Sequence, residues 1–130
     1  MLPFRLHFQP GLPVSEQVIY AVHKALALGQ LRPGDAFPSQ RTLAQELQIN
    51  PNTAQKIITS LKHQGILVVD PGRGTFIDPA YKPKAAAVRE LLGENLENFV
   101  VHAMRLGLDL PAVQEALAAK WKSLDARREP

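Results

Sequence analysis

The 130-residue sequence predicts a mainly α-helical chain with one small β-hairpin. Three observations support this fold class. Apolar residues recur at helical spacing through most of the chain. Ile66 to Val69 is apolar and β-branched, and a Pro-Gly turn separates it from Thr75 to Ile77, which is the pattern of a hairpin. Asp78 to Pro83 contains two prolines and is typical of a linker between two parts.

Composition excludes several classes of function. The chain has no cysteine, so disulfides, cysteine-ligated zinc and thiol catalysis are excluded. A net charge of +3 permits nucleic-acid binding without establishing it. No apolar run approaches the roughly 18 residues of a membrane span. The N-terminus also lacks a signal-peptide pattern, so we expect a cytoplasmic protein.

The first helix is predicted from Val14 to Leu28, with Gly29 ending it. Residues 1–13 precede it as an extended arm that we expect to pack on the domain. After the helix, Pro33 and Gly34 form a strong turn signal. Phe37 is expected to be extended because it precedes a proline.

Two short helices follow with a tight turn between them. The second helix is predicted from Gln40 to Leu47, with Ser39 as its N-cap. Asn50 caps the third helix, which has Pro51 in its first turn and ends at Gly65. A capped helix directly after another short helix is the pattern of a helix-turn-helix.

The third helix has one apolar and one polar face. Its apolar stripe consists of Ala54, Ile57, Ile58 and Leu61. Its polar face consists of Asn52, Thr53, Gln55, Lys56, Thr59, Ser60 and Lys62, and contains no carboxylate. Amides can pair with adenine, and hydroxyls and lysine can reach phosphates. The alternative interpretation of this face is an ordinary solvated surface.

The hairpin turn carries Arg73 between Gly72 and Gly74. An exposed arginine on such a tip can enter a minor groove or bind a phosphate. A plain surface hairpin is the alternative. Helix, helix-turn-helix and hairpin together are the order of a winged helix, and we assign residues 1–79 to a winged-helix DNA-binding domain.

Residues 80–130 are predicted to form a helical dimerisation tail. The fourth helix runs from about Lys84 to Leu106, and Gly93 within it marks a bend or a break. Asp109 caps a fifth helix. Two helices cannot enclose a core, so their apolar stripes predict a homodimer. The predicted dimer interface is Leu92, Leu96, Phe99, Val100, Ala103, Leu110, Val113, Leu117, Trp121 and Leu124.

Three segments resemble the GntR-type bacterial transcription regulators. Leu31 to Ala44 is similar to the entry of their DNA-binding domain, Asn50 to Lys56 to the start of their recognition helix, and Gly72 to Ile77 to their wing. The Asn-Pro-Asn-Thr sequence and the short helical tail resemble the YtrA-type branch. The resemblance implies a homodimeric repressor that binds an inverted-repeat operator, with half-sites about one helical turn apart. Members of this branch often repress neighbouring ABC-transporter genes.

The resemblance also implies DNA-binding residues. Arg41 matches a backbone-contacting arginine, and Ser39 would cap its helix near a phosphate. The full predicted set is Ser39, Arg41, Asn50, Asn52, Thr53, Gln55, Lys56, Gly72, Arg73 and Gly74. Thr59, Ser60 and Lys62 are expected to be bystanders. The sequence departs from the family in two places: Gln40 stands where Glu or Val is usual, and Asp70-Pro71 stands where basic residues are common.

Other functions receive less support. The polar face of the third helix could instead dock a protein. An enzyme is not indicated, because His7, His23, His63 and His102 lack ligand spacing and no nucleophile–base set is present. We expect no cofactor and no metal.

Trp121 is interpreted as a packing or interface anchor. The tail is too small for a drug-sized cavity in one subunit, so an effector would bind at the dimer interface.

Overall fold

The computed structural model describes residues 2–130. Internal contacts divide the chain into two compact units. The first extends through Tyr81 and includes Arg128–Pro130, and the second is Lys82–Arg127. Across residues 2–130, no helix combines the length and the apolar character that crossing a lipid bilayer requires.

The first unit contains three helices and a three-stranded sheet. The helices are α1 (Val14–Ala27), α2 (Gln40–Leu47) and α3 (Pro51–His63), and the strands are β1 (Ala36–Phe37), β2 (Leu67–Asp70) and β3 (Gly74–Ile77). The predicted helices are confirmed closely, and the two strands of the predicted hairpin each lie about one residue from their predicted bounds. Local caps and periodicity are strong here, which is why the bounds could be predicted.

The strand β1 was not predicted. The sheet order is β1-β3-β2 with antiparallel pairing, and Ala36 pairs with Phe76 while Phe37 pairs with Thr75. A strand of two residues is too short to show alternation. Its pairing joins the loop after α1 to the hairpin, and the Phe37 side chain is buried as a result.

The core of the first unit lies between the apolar faces of the helices and one face of the sheet. Its largest fully buried side chains are Val18 and Val22 of α1, Leu43 of α2, Ile57 and Leu61 of α3, and Ile77 of β3. The N-terminal arm packs against this core through Leu2, Phe4 and Leu6, as predicted. Burial of these apolar side chains supplies most of the favourable free energy of folding.

Residues 128–130 belong to the first unit because they contact the end of α1. The backbone N–H of Glu129 donates to the Leu28 carbonyl at 2.6 Å, and the Arg32 guanidinium donates to the Pro130 carbonyl. A Cβ added at Gly29 would lie 3.2 Å from the Cβ of Glu129, so a larger residue there would crowd this contact. The terminal segment thereby satisfies a carbonyl at the end of α1.

The second unit contains α4 (Ala85–Glu90), a π-helical turn (Leu91–Asn95), α5 (Leu96–Arg105) and α6 (Leu110–Asp125). The helix predicted from Lys84 to Leu106 therefore neither ends nor breaks at Gly93. Instead, the π turn that contains Gly93 inserts an extra residue into the helical path. Asp109 caps α6 as predicted, because its Oδ1 accepts a hydrogen bond from the Ala112 N–H at 3.0 Å.

Candidate nucleic-acid interface

The start of α3 is defined by two residues. Asn50 Oδ1 accepts a hydrogen bond from the Asn52 N–H at 2.7 Å, which satisfies one of the unpaired donors of the first turn. Pro51 occupies the first helical position, where its missing N–H costs nothing. The Asn50 side-chain oxygen is thus engaged as a cap, and its two amide N–H donors remain for a ligand.

The polar face of α3 points to solvent because the opposite face is anchored in the core. Ala54, Ile57 and Leu61 are each 0% exposed. Their burial fixes the rotation of the helix and leaves Asn52, Gln55 and Lys56 exposed. Thr53 is half-buried and Asn50 is exposed. The predicted base-reading residues therefore share one surface, with Thr53 at its edge.

This polar surface extends along the whole of α3. A shallow groove is lined by Asn52, Gln55, Lys56, Thr59, Ser60 and His63. Thr59 and Ser60 were expected to be bystanders, and His63 was interpreted as an ordinary surface residue. The sequence already places Thr59 and Ser60 on the polar face, and only His63 was left off it. The spacing of His63 by four and three from Thr59 and Ser60 was the available signal, since it indicates the same helical face.

The last turn of α3 is tied to α1 by a polar network. Gln64 Nε2 donates to Ser60 Oγ at 3.1 Å, and Gln64 Oε1 lies 2.7 Å from His23 Nε2. The His23 ring therefore has a hydrogen-bond partner on a neighbouring element. This network connects the far end of the groove to the scaffold.

The N-terminus of α2 lies beside that of α3. Ser39 Oγ accepts from the Thr42 N–H at 3.3 Å and caps α2 as predicted. Gln40 Nε2 donates to the Pro51 carbonyl at 3.2 Å, which joins the first residues of the two helices. Arg41 is exposed next to this contact. Helix N-termini and arginine both favour phosphate, so this edge suits the backbone of a nucleic acid.

The wing is the β2–β3 hairpin, closed by the pairing of Asp70 with Gly74. Gly72 has φ +82° and Gly74 has φ +122°, conformations that residues with a Cβ rarely adopt. Arg73 projects from the tip with 76% of its side chain exposed. Its Nη1 lies 3.6 Å from Asp70 Oδ2, so the acidic residue that departs from the family pattern is an intramolecular partner of the wing arginine.

A metal centre is not present among residues 2–130, where no three His, Cys, Asp or Glu side chains are grouped closely enough to hold an ion. Two of the histidines instead have polar neighbours. His23 contacts Gln64, and His102 Nδ1 lies 3.2 Å from the Arg105 guanidinium.

The second unit exposes most of the residues predicted for a dimer interface. Seven of them are exposed large apolar side chains: Leu92, Leu96, Phe99, Val100, Leu110, Leu117 and Trp121. Val113 and Leu124 are half-buried, and Ala103 is buried within the single chain. Ala103 therefore has little surface left for a partner, because its small side chain is already covered.

Comparison with known proteins supports the same assignment. Residues 14–77 match the model of the gntR family of bacterial regulatory proteins. The chain is 32% identical over 104 residues to the HTH-type transcriptional repressor YtrA of Bacillus subtilis (strain 168), which covers 79% of this chain and 80% of that protein. It is also 32% identical over 110 residues to the uncharacterized HTH-type transcriptional regulator YhcF of the same strain, covering 85% of this chain and 91% of YhcF. Both matches are longer than the winged-helix segment, so they include part of the tail.

Solved structures share the fold. A transcriptional antiterminator from Listeria monocytogenes EGD-e has a TM-score of 0.80 at 22% identity, covering 94% of this chain and 92% of that one. A GntR family transcriptional regulator from Listeria monocytogenes has a TM-score of 0.69 at 22% identity, covering 86% and 98%. The chain belongs to the GntR family of bacterial regulatory proteins, which are DNA-binding transcriptional regulators and not enzymes, and its relatives include the YtrA-type members.

Proposed function

We propose that this regulator is a homodimeric repressor that reads an inverted-repeat operator through α3. The observation that carries the proposal is the capped, carboxylate-free face of α3, which buried apolar residues hold toward solvent. Because the chain acts on chromosomal DNA in this scheme, its location is the cytoplasm. By analogy with the YtrA-type branch, the regulated genes are a transporter operon.

The DNA contacts divide into two kinds. Arg41, Lys56 and Arg73 are exposed cations that neutralise phosphates and set the register, which gives affinity that depends on salt but not on sequence. Asn52, Thr53 and Gln55 read base edges in the major groove. Each good base contact contributes about 1–3 kcal/mol of discrimination.

The exposed apolar surface supports dimerisation. Among residues 2–130, 13 of the 17 exposed large apolar side chains lie in the second unit. Soluble monomers rarely leave so much apolar surface uncovered. A second copy of the chain would cover this apolar surface. A two-fold symmetric dimer presents two copies of α3, which matches the two half-sites of an inverted repeat.

The test begins with selection of binding sites from genomic fragments, which yields an operator. Affinity for this operator and for a scrambled duplex is then measured at several salt concentrations. Arg41→Ala should weaken binding to both duplexes alike and reduce the salt slope by about one for each subunit, or about two for the dimer. Gln55→Ala should lower discrimination by about 5-fold to 150-fold for each half-site, the equivalent of 1–3 kcal/mol per base contact.

Gln45→Ala is the matched control, because Gln45 is exposed on α2 but lies outside the predicted contact set. An unchanged operator-to-scrambled ratio in Gln55→Ala would show that Gln55 does not read bases. If the wild-type chain has no measurable affinity for any duplex even at low salt, the α3 face is a protein-docking surface and the proposed function is wrong.

A further inference from the structure

Gln40 makes a contact that the DNA-binding assignment does not use. Its side-chain Nε2 donates to the Pro51 carbonyl oxygen at 3.2 Å, across 11 positions of sequence. Gln40 is the first residue of α2, and Pro51 is the first residue of α3. Neither helix needs this bond as a cap, because Ser39 caps α2 and Asn50 caps α3.

The connection between the two helices is short and conformationally costly. Gln48 ends α2 in the left-handed region with φ 53° and ψ 49°, which is rarely adopted by residues other than glycine or asparagine. The Ile49 N–H then donates to the Ala44 carbonyl at 3.0 Å. A residue held in this region is strained, and the turn keeps its shape only while surrounding contacts hold it. A hydrogen bond that joins the two helices on either side of the turn is such a contact.

The chemistry of position 40 matters for this bond. A carbonyl oxygen has two lone pairs and accepts from an amide N–H. An ionised glutamate at the same position has no donor and would bring a negative charge beside the Pro51 oxygen and beside DNA phosphates. A valine has no polar group. Unlike glutamate or valine, glutamine at position 40 can donate the hydrogen bond that ties α2 to the start of α3.

We propose that Gln40 is a positioning residue for operator reading, an inference that rests on the proposed function. Its bond sets the first turn of α3 relative to the N-terminus of α2. It thereby fixes the base-reading residues Asn52 and Gln55 against the phosphate-binding edge at Arg41. Specificity in this chain depends on a side chain that need not touch the DNA.

Gln40→Met tests the proposal in the full-length chain, because methionine has nearly the same length but no donor. In the free protein, the 13C chemical shift of the Pro51 carbonyl should change and the first-turn amides of α3 should exchange faster. Operator affinity should fall about 2-fold to 12-fold for each half-site, the equivalent of one net hydrogen bond per subunit, while scrambled-duplex affinity and the salt slope stay constant. Gln45→Met is the control on the same helix.

Gln40→Glu separates the effect of charge. It should lose the same discrimination and also weaken scrambled-duplex binding, because it adds a negative charge at the phosphate-binding edge. Loss of discrimination in Gln40→Met without any change in the free protein would mean that Gln40 contacts DNA directly, which overturns a positioning role.

Two further outcomes separate this inference from the function on which it rests. If Gln40→Met keeps full discrimination while Gln55→Ala loses it, the positioning role fails and the proposed function stands. If the wild-type chain binds operator and scrambled duplexes equally, the proposed function fails and the inference fails with it.

Discussion

Replacing Asp70 with asparagine is expected to strengthen binding to every duplex. Asp70 Oδ2 lies 3.6 Å from Arg73 Nη1, with 46% and 76% of the two side chains exposed. In the proposed complex, the same guanidinium binds a phosphate, so Asp70 competes with the DNA for it. The substitution removes the competitor and one negative charge while keeping the size of the side chain.

The magnitude follows from the geometry of this ion pair. At this separation in water the Coulomb energy is about 1 kcal/mol, and exposed pairs contribute about 0.2–1 kcal/mol net. Affinity should therefore rise between about 1.4-fold and 5-fold for each subunit of the dimer, for operator and scrambled duplex alike. The free energy of unfolding should change by less than about 1 kcal/mol, because the pair contributes little to the fold.

Fluorescence anisotropy at several salt concentrations measures both duplexes. Glu115→Gln is the control, since it removes the same charge from α6 in the second unit. Weaker or unchanged binding in Asp70→Asn would refute the competition argument and would mean that Asp70 holds Arg73 in a productive position or that the wing does not contact DNA.

Two other substitutions test the scaffold and the assembly. Ile57→Ala should lower the free energy of unfolding by about 2–5 kcal/mol in urea denaturation, because Ile57 is 0% exposed and anchors α3. Exposed Thr59→Ala should change it by less than about 0.5 kcal/mol, and equal effects of the two would contradict the assigned burial. Phe99→Glu should convert the dimer to a monomer in analytical sedimentation. It should also weaken operator binding about 100-fold or more, because the two winged-helix domains are no longer linked. Asn98→Glu is the control, because it adds the same charge at an exposed polar residue of α5. A dimer that survives Phe99→Glu would mean that the interface lies elsewhere.

Most of the first unit could be predicted because its signals are local. Ser39 and Asn50 are caps whose partners lie two or three residues away, and Asp109 in the second unit is a cap of the same kind. The stripe from Ala54 to Leu61 repeats at helical spacing, and its members are buried as expected. The assignment to the GntR family also followed from short motifs. The roles of the individual DNA-binding and interface residues remain predictions.

The features that were missed depend on partners that are distant in sequence. The strand β1 exists because Ala36 pairs with Phe76. Pro130 accepts a hydrogen bond from Arg32, which lies 98 positions earlier. No local sequence pattern predicts either contact, because the packing of the whole unit determines which distant segments meet. The π turn at Gly93 is similar, since a glycine in a helical pattern is compatible with a bend, a break or a bulge.

The sequence alone determined which segments become helices, where they begin, and which face of α3 carries amides, hydroxyls and two lysines. These properties depend on backbone capping and on hydrophobic spacing, which act over a few residues. Tertiary structure decided that Arg73 pairs with Asp70 and that Gln40 ties the first residues of α2 and α3 together. Those outcomes require side chains from separate turns and helices to meet at hydrogen-bonding or ion-pair distance, and only the folded chain sets such distances.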